Sequence, residues 1–91
     1  MTFDAVVSDT AEMFISRLAR DDRQRFYEAL DVLMSDPHPD GVTKVALPFP
    51  YTPGTLGFYY RDFWIAYVFL NALVLGVVAV DWSPRSPRYP L

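Results

Sequence analysis

The stretch Phe63-Trp64-Ile65-Ala66-Tyr67-Val68-Phe69-Leu70-Asn71-Ala72-Leu73-Val74-Leu75-Gly76-Val77-Val78-Ala79-Val80 runs eighteen residues without a charge. As one helix it is ~27 Å long at about 1.5 Å per residue, the bare minimum for a membrane span. As two strands it is the centre of a small sheet. Residue types favour the strands, because Trp64, Ile65, Tyr67, Val68, Phe69, Val74, Val77, Val78 and Val80 suit a pleated, half-buried surface better than a helix. Asn71, near the middle, finds no partner in a bilayer and is at home in a hairpin turn. Thr55 to Arg61 has the same strand character and needs a neighbour to pair with. The reading is therefore a β-hairpin turning near Asn71, with no membrane span.

Working outward, Thr2 to Val7 reads as a short first strand. Asp9 followed by Glu12 reads as a helix cap with its reciprocal partner, and Ala11, Phe14, Ile15 and Leu18 recur at helical spacing. Asp21 and Gln24 offer a second cap, and Phe26, Tyr27, Leu30, Leu33 and Met34 carry a second helix. Asp36-Pro37-His38-Pro39-Asp40-Gly41 stops it. Thr43 to Leu47 reads as another strand, followed by a loop from Pro48 to Gly54. The expected fold is α+β: a short N-terminal strand, a helical hairpin, then an antiparallel sheet with the helices on one face. Residues 1–82 form a single domain in this reading, and 83–91 a proline-rich tail.

Two-residue turns at Asp62-Phe63 and Asn71-Ala72 assign the sheet faces, since directly opposed residues share a face. Phe58, Tyr60, Ile65, Tyr67, Phe69, Val74, Val78, Val80 and Trp82 then meet the helices. Tyr59, Arg61, Trp64, Ala66, Val68, Leu73, Leu75, Val77, Ala79 and Asp81 form the open face. An apolar strip of that size marks a partner surface, with Trp64, Val68, Leu73, Leu75 and Val77 as its contacts.

Net charge is −3 over 91 residues, unevenly spread. Residues 1–41 hold nine acids against four arginines; residues 42–91 hold Lys44, Arg61, Arg85 and Arg88 against Asp62 and Asp81. An anionic ligand is met by the C-terminal half, although so few cations argue against strong non-specific nucleic-acid binding. Arg17, Arg20, Arg23 and Arg25 cluster at the helical turn beside acids and read as a solvated surface. His38, the single histidine, lies between prolines in a loop without a second catalytic group near it. There is no cysteine, which excludes disulfides and thiolate chemistry and suits a cytoplasmic protein. Met1 to Asp9 is too short and acidic for a signal peptide. No glycine-rich phosphate loop, metal-ligand cluster or nucleophile elbow is present, so no cofactor or metal is expected.

Taken together, the element order, the helix ending Leu33-Met34-Ser35-Asp36-Pro37-His38-Pro39, the aromatic strand ending in Arg61, the segment Asp62-Phe63-Trp64-Ile65-Ala66-Tyr67 and the valine-rich last strand leading to Arg85 and Tyr89 resemble the RelE/ParE toxin superfamily. The resemblance implies the toxin component of a type II toxin–antitoxin system. RelE-like members cleave mRNA in the ribosomal A site, ParE-like members inhibit gyrase, and an antitoxin segment wraps and neutralises both. It implies an antitoxin-like partner and, for the RelE activity, mRNA on the ribosome. Arg61 matches the arginine ending the family's strand, and Arg85 and Tyr89 meet its C-terminal basic and tyrosine positions. The family's next strand usually reads Tyr-Arg-x-x-Tyr, and Trp64-Ile65-Ala66-Tyr67 sets Ile65 where the second arginine stands.

Cleavage through a 2′-hydroxyl needs a base, an acid and cations on the developing phosphorane charge. Asp81 and Tyr89 are the candidates for proton transfer, and Arg61 and Arg85 for the charge. Lys44 and Arg88 are further candidate RNA contacts. A competing class is a non-enzymatic interaction module of the same fold, for instance a homodimer through the apolar strip. Pro84, Pro87 and Pro90 recur every third residue. That spacing fits a polyproline II ligand or an extended tail laid back on its own domain.

Overall fold

The computed structural model describes residues 2–88, as seven elements: β1 (Asp4–Val7), α1 (Asp9–Ser16), α2 (Arg20–Ser35), β2 (Lys44–Ala46), β3 (Leu56–Tyr60), β4 (Phe63–Phe69) and β5 (Val74–Trp82). The uncharged run is a strand pair, and among the described residues no helix is long and apolar enough to cross a membrane. The five strands form one sheet in the order β1-β5-β4-β3-β2. β2 to β5 pair antiparallel as expected, while β1 joins the far edge parallel to β5. The sheet is therefore mixed. A parallel neighbour needs a crossover, and the two helices supply it.

Local signals place the helices with small shifts. Ser8, not Asp9, caps α1: its Oγ accepts from the Ala11 N–H at 3.2 Å and donates to the Val78 carbonyl at 2.7 Å, tying the helix start to β5. α2 begins at Arg20 with Ala19 as an N-cap that makes no side-chain bond, ahead of the Asp21 cap the sequence offers. Arg23 then donates to the carbonyls of Ser16 and Leu18, satisfying groups left open where α1 ends.

Phe26, Ala29, Leu30 and Leu33 form the buried stripe of α2, and Ala11 and Ile15 that of α1. They pack on Leu56, Phe58, Phe63, Ile65, Tyr67, Leu75, Val77 and Val80 of the sheet. Each large apolar side chain buried this way contributes roughly 1.5–3 kcal/mol. Phe63 stands at the centre of one end, edge-on to Phe26 at 5.6 Å and stacked on Trp82 at 5.1 Å.

The face assignments hold for β3, β4 and the end of β5, and fail for its start. Leu75 is 0% and Val77 1% exposed, packed beneath the helices rather than on the partner face assigned to them. Two irregularities explain this. The β4–β5 connection spans Leu70 to Leu73, so Phe69 faces Leu75 and Tyr67 faces Val77, one residue out of the expected register. A bulge at Val78 then restores the original alternation, so that Trp64 faces Asp81 and Phe63 faces Trp82. The earlier turn is also shifted by one, to Arg61-Asp62, because Tyr60 pairs with Phe63. Both strands keep their faces there.

The segment after α2 is held by two acids and a buried tyrosine. Asp40 accepts from the N–H groups of Val42, Thr43 and Lys44 and from the Thr43 hydroxyl, which fixes the entry to β2. The Thr43 bond and these backbone donors hold the Asp40 carboxyl well below its usual range. Tyr67 donates to the Pro37 carbonyl at 2.6 Å; burial, reinforced by the Asp40 and Asp36 carboxylates, pushes its hydroxyl well above the usual tyrosine range.

Candidate active site

The end of the sheet where β3 turns into β4 and β5 leaves its last pairing gathers most of the chemistry-bearing residues. Arg61 sits in the tight Arg61-Asp62 turn with φ at 53°, a left-handed conformation that a side-chain-bearing residue adopts at a cost of roughly 1–2 kcal/mol. Its guanidinium lies 5.3 Å from the centre of the Tyr60 ring. A strained arginine at a strand end is the kind of outlier that functional sites retain.

Arg85 reaches the same place from the tail. Ser83 donates its N–H to the Asp62 carbonyl at 2.6 Å, extending the β4–β5 pairing by one bond and pinning the chain beside the Arg61 turn. Ser83 Oγ accepts from Arg85 N–H, Ser86 N–H donates to the Ser83 carbonyl, and Ser86 Oγ accepts from Arg88 N–H. Through Arg88 the tail is thus a run of turns folded against the domain, not a polyproline II helix. Arg61 and Arg85 line one cleft of about 650 Å³ with Val42, Thr43, Tyr59, Ser83 and Pro84.

A smaller hollow of about 240 Å³ adjoins it, sharing Tyr59 and Pro84 and lined also by Tyr51, Trp64, Asp81 and Trp82. Asp81 lies directly across from Trp64 on the open face, with its Oδ1 accepting from the Trp82 N–H at 2.7 Å. The loop from Leu47 to Gly54 folds over the same face. Tyr51 meets Trp64 edge-on with ring centres 6.0 Å apart, and Tyr59 lies tilted to the indole at 6.4 Å. Among the described residues, the buried Trp64 Nε1–H has no hydrogen-bond partner.

Of the expected site residues, Arg61 and Arg85 share one cleft, Asp81 lines the adjoining hollow, and Tyr89 lies outside the described residues. Lys44 is elsewhere: it projects to the helix side of β2, donates to the Asp36 carbonyl at 3.0 Å and covers the Phe58 ring at 5.6 Å. Arg88 is also engaged, paired with the buried Asp22 of α2 and lying over Trp82 at 5.3 Å. Trp64, Val68 and Leu73 remain on the open side or in the β4–β5 turn. Sequence reasoning sets Tyr59 on the open face but not in the site, and gives no sign of Tyr51, which only the tertiary fold of the loop from Leu47 to Gly54 brings beside Trp64.

Ile65, where the resemblance sets the family's second arginine, is 0% exposed and faces the helices, so a charge there would sit in the core. Phe63 and Tyr67 also point into the core, and Trp64 lies between them on the open face, across from Asp81.

No protein-family model matches the chain, and no curated protein matches it by sequence. Solved structures do. The chain is similar to one in the RelBE2 toxin–antitoxin complex of Mycobacterium tuberculosis, with a TM-score of 0.74 at 15% identity over 91% of this chain and 100% of that one. It is similar to one in the RelE–RelB complex of Pyrococcus horikoshii OT3, at 0.67 and 19% identity over 94% and 100%, and to the isolated E. coli RelE toxin, at 0.67 and 16% over 93% and 88%. A helical hairpin on one face of a five-stranded mixed sheet gives this chain a RelE-like fold.

Proposed function

We propose that this chain is the toxin of a type II toxin–antitoxin pair and cleaves RNA from the cleft at the end of its sheet. The observation that carries this is the convergence of Arg61, from a strained turn, and Arg85, from the pinned tail, on one cleft beside Asp81. Two cations suit a phosphodiester whose negative charge grows as the 2′-oxygen attacks phosphorus. Asp81, in the adjoining hollow, and Tyr89 are the candidates for the two proton transfers, from the 2′-hydroxyl and to the departing 5′-oxygen. The RelE neighbours that occur in complex with RelB support an antitoxin-like protein as the partner. Trp64, Val68 and Leu73, with exposed Val6, Leu70 and Val78, offer that partner an apolar surface.

Expression without the partner should arrest growth, and purified protein should cut ribosome-bound mRNA. Arg61→Ala should relieve both while leaving partner binding intact. Harmless expression together with intact mRNA sinks the enzyme reading. One observation favours a second reading, a non-enzymatic binding module of the same fold: among the described residues, Arg61 and Arg85 are the only cations lining the cleft and its adjoining hollow, and the middle of β4 presents Trp64 and a buried Ile65 in place of further charge. That reading predicts partner binding or dimerisation with no cleavage at all.

A further inference from the structure

We propose that Tyr51, Tyr59 and Trp64 form a stacking subsite for one unpaired nucleobase, whose adjacent phosphate lies against Arg61 and Arg85. The inference rests on the ribonuclease reading for its ligand class and on separate geometry for the subsite.

The three rings surround a hollow instead of packing on one another face to face. Tyr51 is inclined at 61° to the Trp64 plane and Tyr59 at 48°. Each tyrosine is 39% exposed, so apolar ring surface remains available to solvent. The hollow, about 240 Å³, is smaller than the ~300–1,000 Å³ that drug-sized ligands occupy, and its aromatic walls suit a single planar ring system. Stacking of a base on such side chains is the usual way single-stranded nucleic acid is held, since unpaired bases present free faces.

The chemistry around the hollow is directional. Asp81 offers only acceptors, which suits the N–H groups on a base edge and repels a phosphate. Arg61 and Arg85 lie in the adjoining cleft across Tyr59 and Pro84, and they attract that phosphate. A nucleotide therefore has one favoured orientation, base toward Asp81 and phosphate toward the arginines. Trp64, between the two tyrosines in the lining of the hollow, supplies a ring face to the base.

Mononucleotides test the subsite without requiring cleavage. The full chain is titrated with AMP, CMP, GMP, UMP and ribose 5-phosphate, following the Trp64 indole N–H and the arginine side chains by NMR. The nucleotides should bind about 5- to 150-fold more tightly than ribose 5-phosphate, the range that one stacked base contributes. Trp64→Leu, which keeps apolar bulk, and Tyr51→Ala should each reduce that preference without changing ribose 5-phosphate binding. Arg61→Ala should weaken both ligands together. Asp81→Asn, which adds a donor to the edge, should reorder the four bases.

Equal affinity for nucleotides and ribose 5-phosphate overturns the subsite, even if the protein cuts mRNA. A base preference erased by Trp64→Leu supports it, even if no cleavage is found and the ribonuclease reading fails. Trp64→Leu that weakens an antitoxin partner but leaves nucleotide binding unchanged gives the aromatic surface to the protein partner and overturns the proposal.

Discussion

The indole of Trp64 lies across Gly57 on the neighbouring strand: a methyl group built on that glycine would stand 3.0 Å from Nε1 and 2.8 Å from Cδ2 of Leu47. The absence of a side chain lets the ring and the Leu47 loop settle on the open face. Gly57→Ala should therefore cost about 1–3 kcal/mol by overpacking and shift tryptophan fluorescence. Because the closer contact is the end of a flexible leucine, adding Leu47→Ala should recover part of the loss. A double-mutant cycle of melting temperatures measures the coupling, and simple additivity of the two changes would show that Leu47 is not what the new methyl meets.

The Tyr67 hydroxyl joins mid-sheet to the loop after α2, and its acceptor is the backbone of the buried Pro37. Tyr67→Phe leaves that carbonyl unpaired, for a loss of about 1–3 kcal/mol. In a domain of this size each kcal/mol lowers the melting temperature by roughly 4–8 °C. An unchanged melting temperature would mean that water replaces the hydroxyl at no cost.

At Arg61, activity and stability should move in opposite directions. Glycine tolerates the left-handed turn that arginine and alanine both strain to adopt. Arg61→Gly should therefore melt above Arg61→Ala, by a margin equivalent to about 1 kcal/mol, while both lose growth inhibition. If the glycine variant melts lower, the turn is not the source of strain.

Leu75→Asp separates core from surface. With Leu75 buried among Ile15, Leu33 and Val77, an aspartate there is an unpaired buried charge, and the variant should fail to fold rather than remain a monomer deprived of its partner. Leu73→Asp, at an exposed turn position, should stay folded. Circular dichroism distinguishes the two directly.

Acid should loosen the loop that leads into β2. The folded-state pKa of Asp40 lies below the unfolded value of 3.8, so the unfolded chain binds the proton more readily. The stabilisation is fully present above pH 3.8 and is lost as pH falls from there through the lowered folded value. Asp40→Ala should be less stable at neutral pH and less sensitive to acid over that window. Chemical denaturation at pH 7 and pH 3 measures the difference.

What the chain reveals in advance follows from which forces are local. The hairpin near Asn71, the helical stripes and the stop at Asp36-Pro37 are written in residue type and period, and the structure has them where the pattern puts them. The faces of β4 were legible because the shift of the β3–β4 turn to Arg61-Asp62 preserves which residues share a face. Those of early β5 were not, since a four-residue connection and the Val78 bulge each shift the alternation by one and then cancel. Nothing in a run of valines marks either event. Arg61 and Arg85 stand out as rare cations in the C-terminal half, whereas Tyr51 joins the site only through a loop folding over the sheet. The commitment of Arg88 to Asp22 spans 66 positions along the chain and leaves no local trace.

The parallel pairing of β1 with β5 also sets an order of events during synthesis. The strand at Asp4–Val7 is among the first residues made, yet its only neighbour in the sheet is Val74–Val77. It must wait, unpaired, until that distant segment leaves the ribosome, and pairing over such separation is slow to form. The residues around Arg61 and Arg85 come into register only with that same last strand. A nascent chain interrupted before β5 therefore carries an unfinished sheet and no arginine cleft, and any harmful activity begins only after nearly the whole domain has been translated.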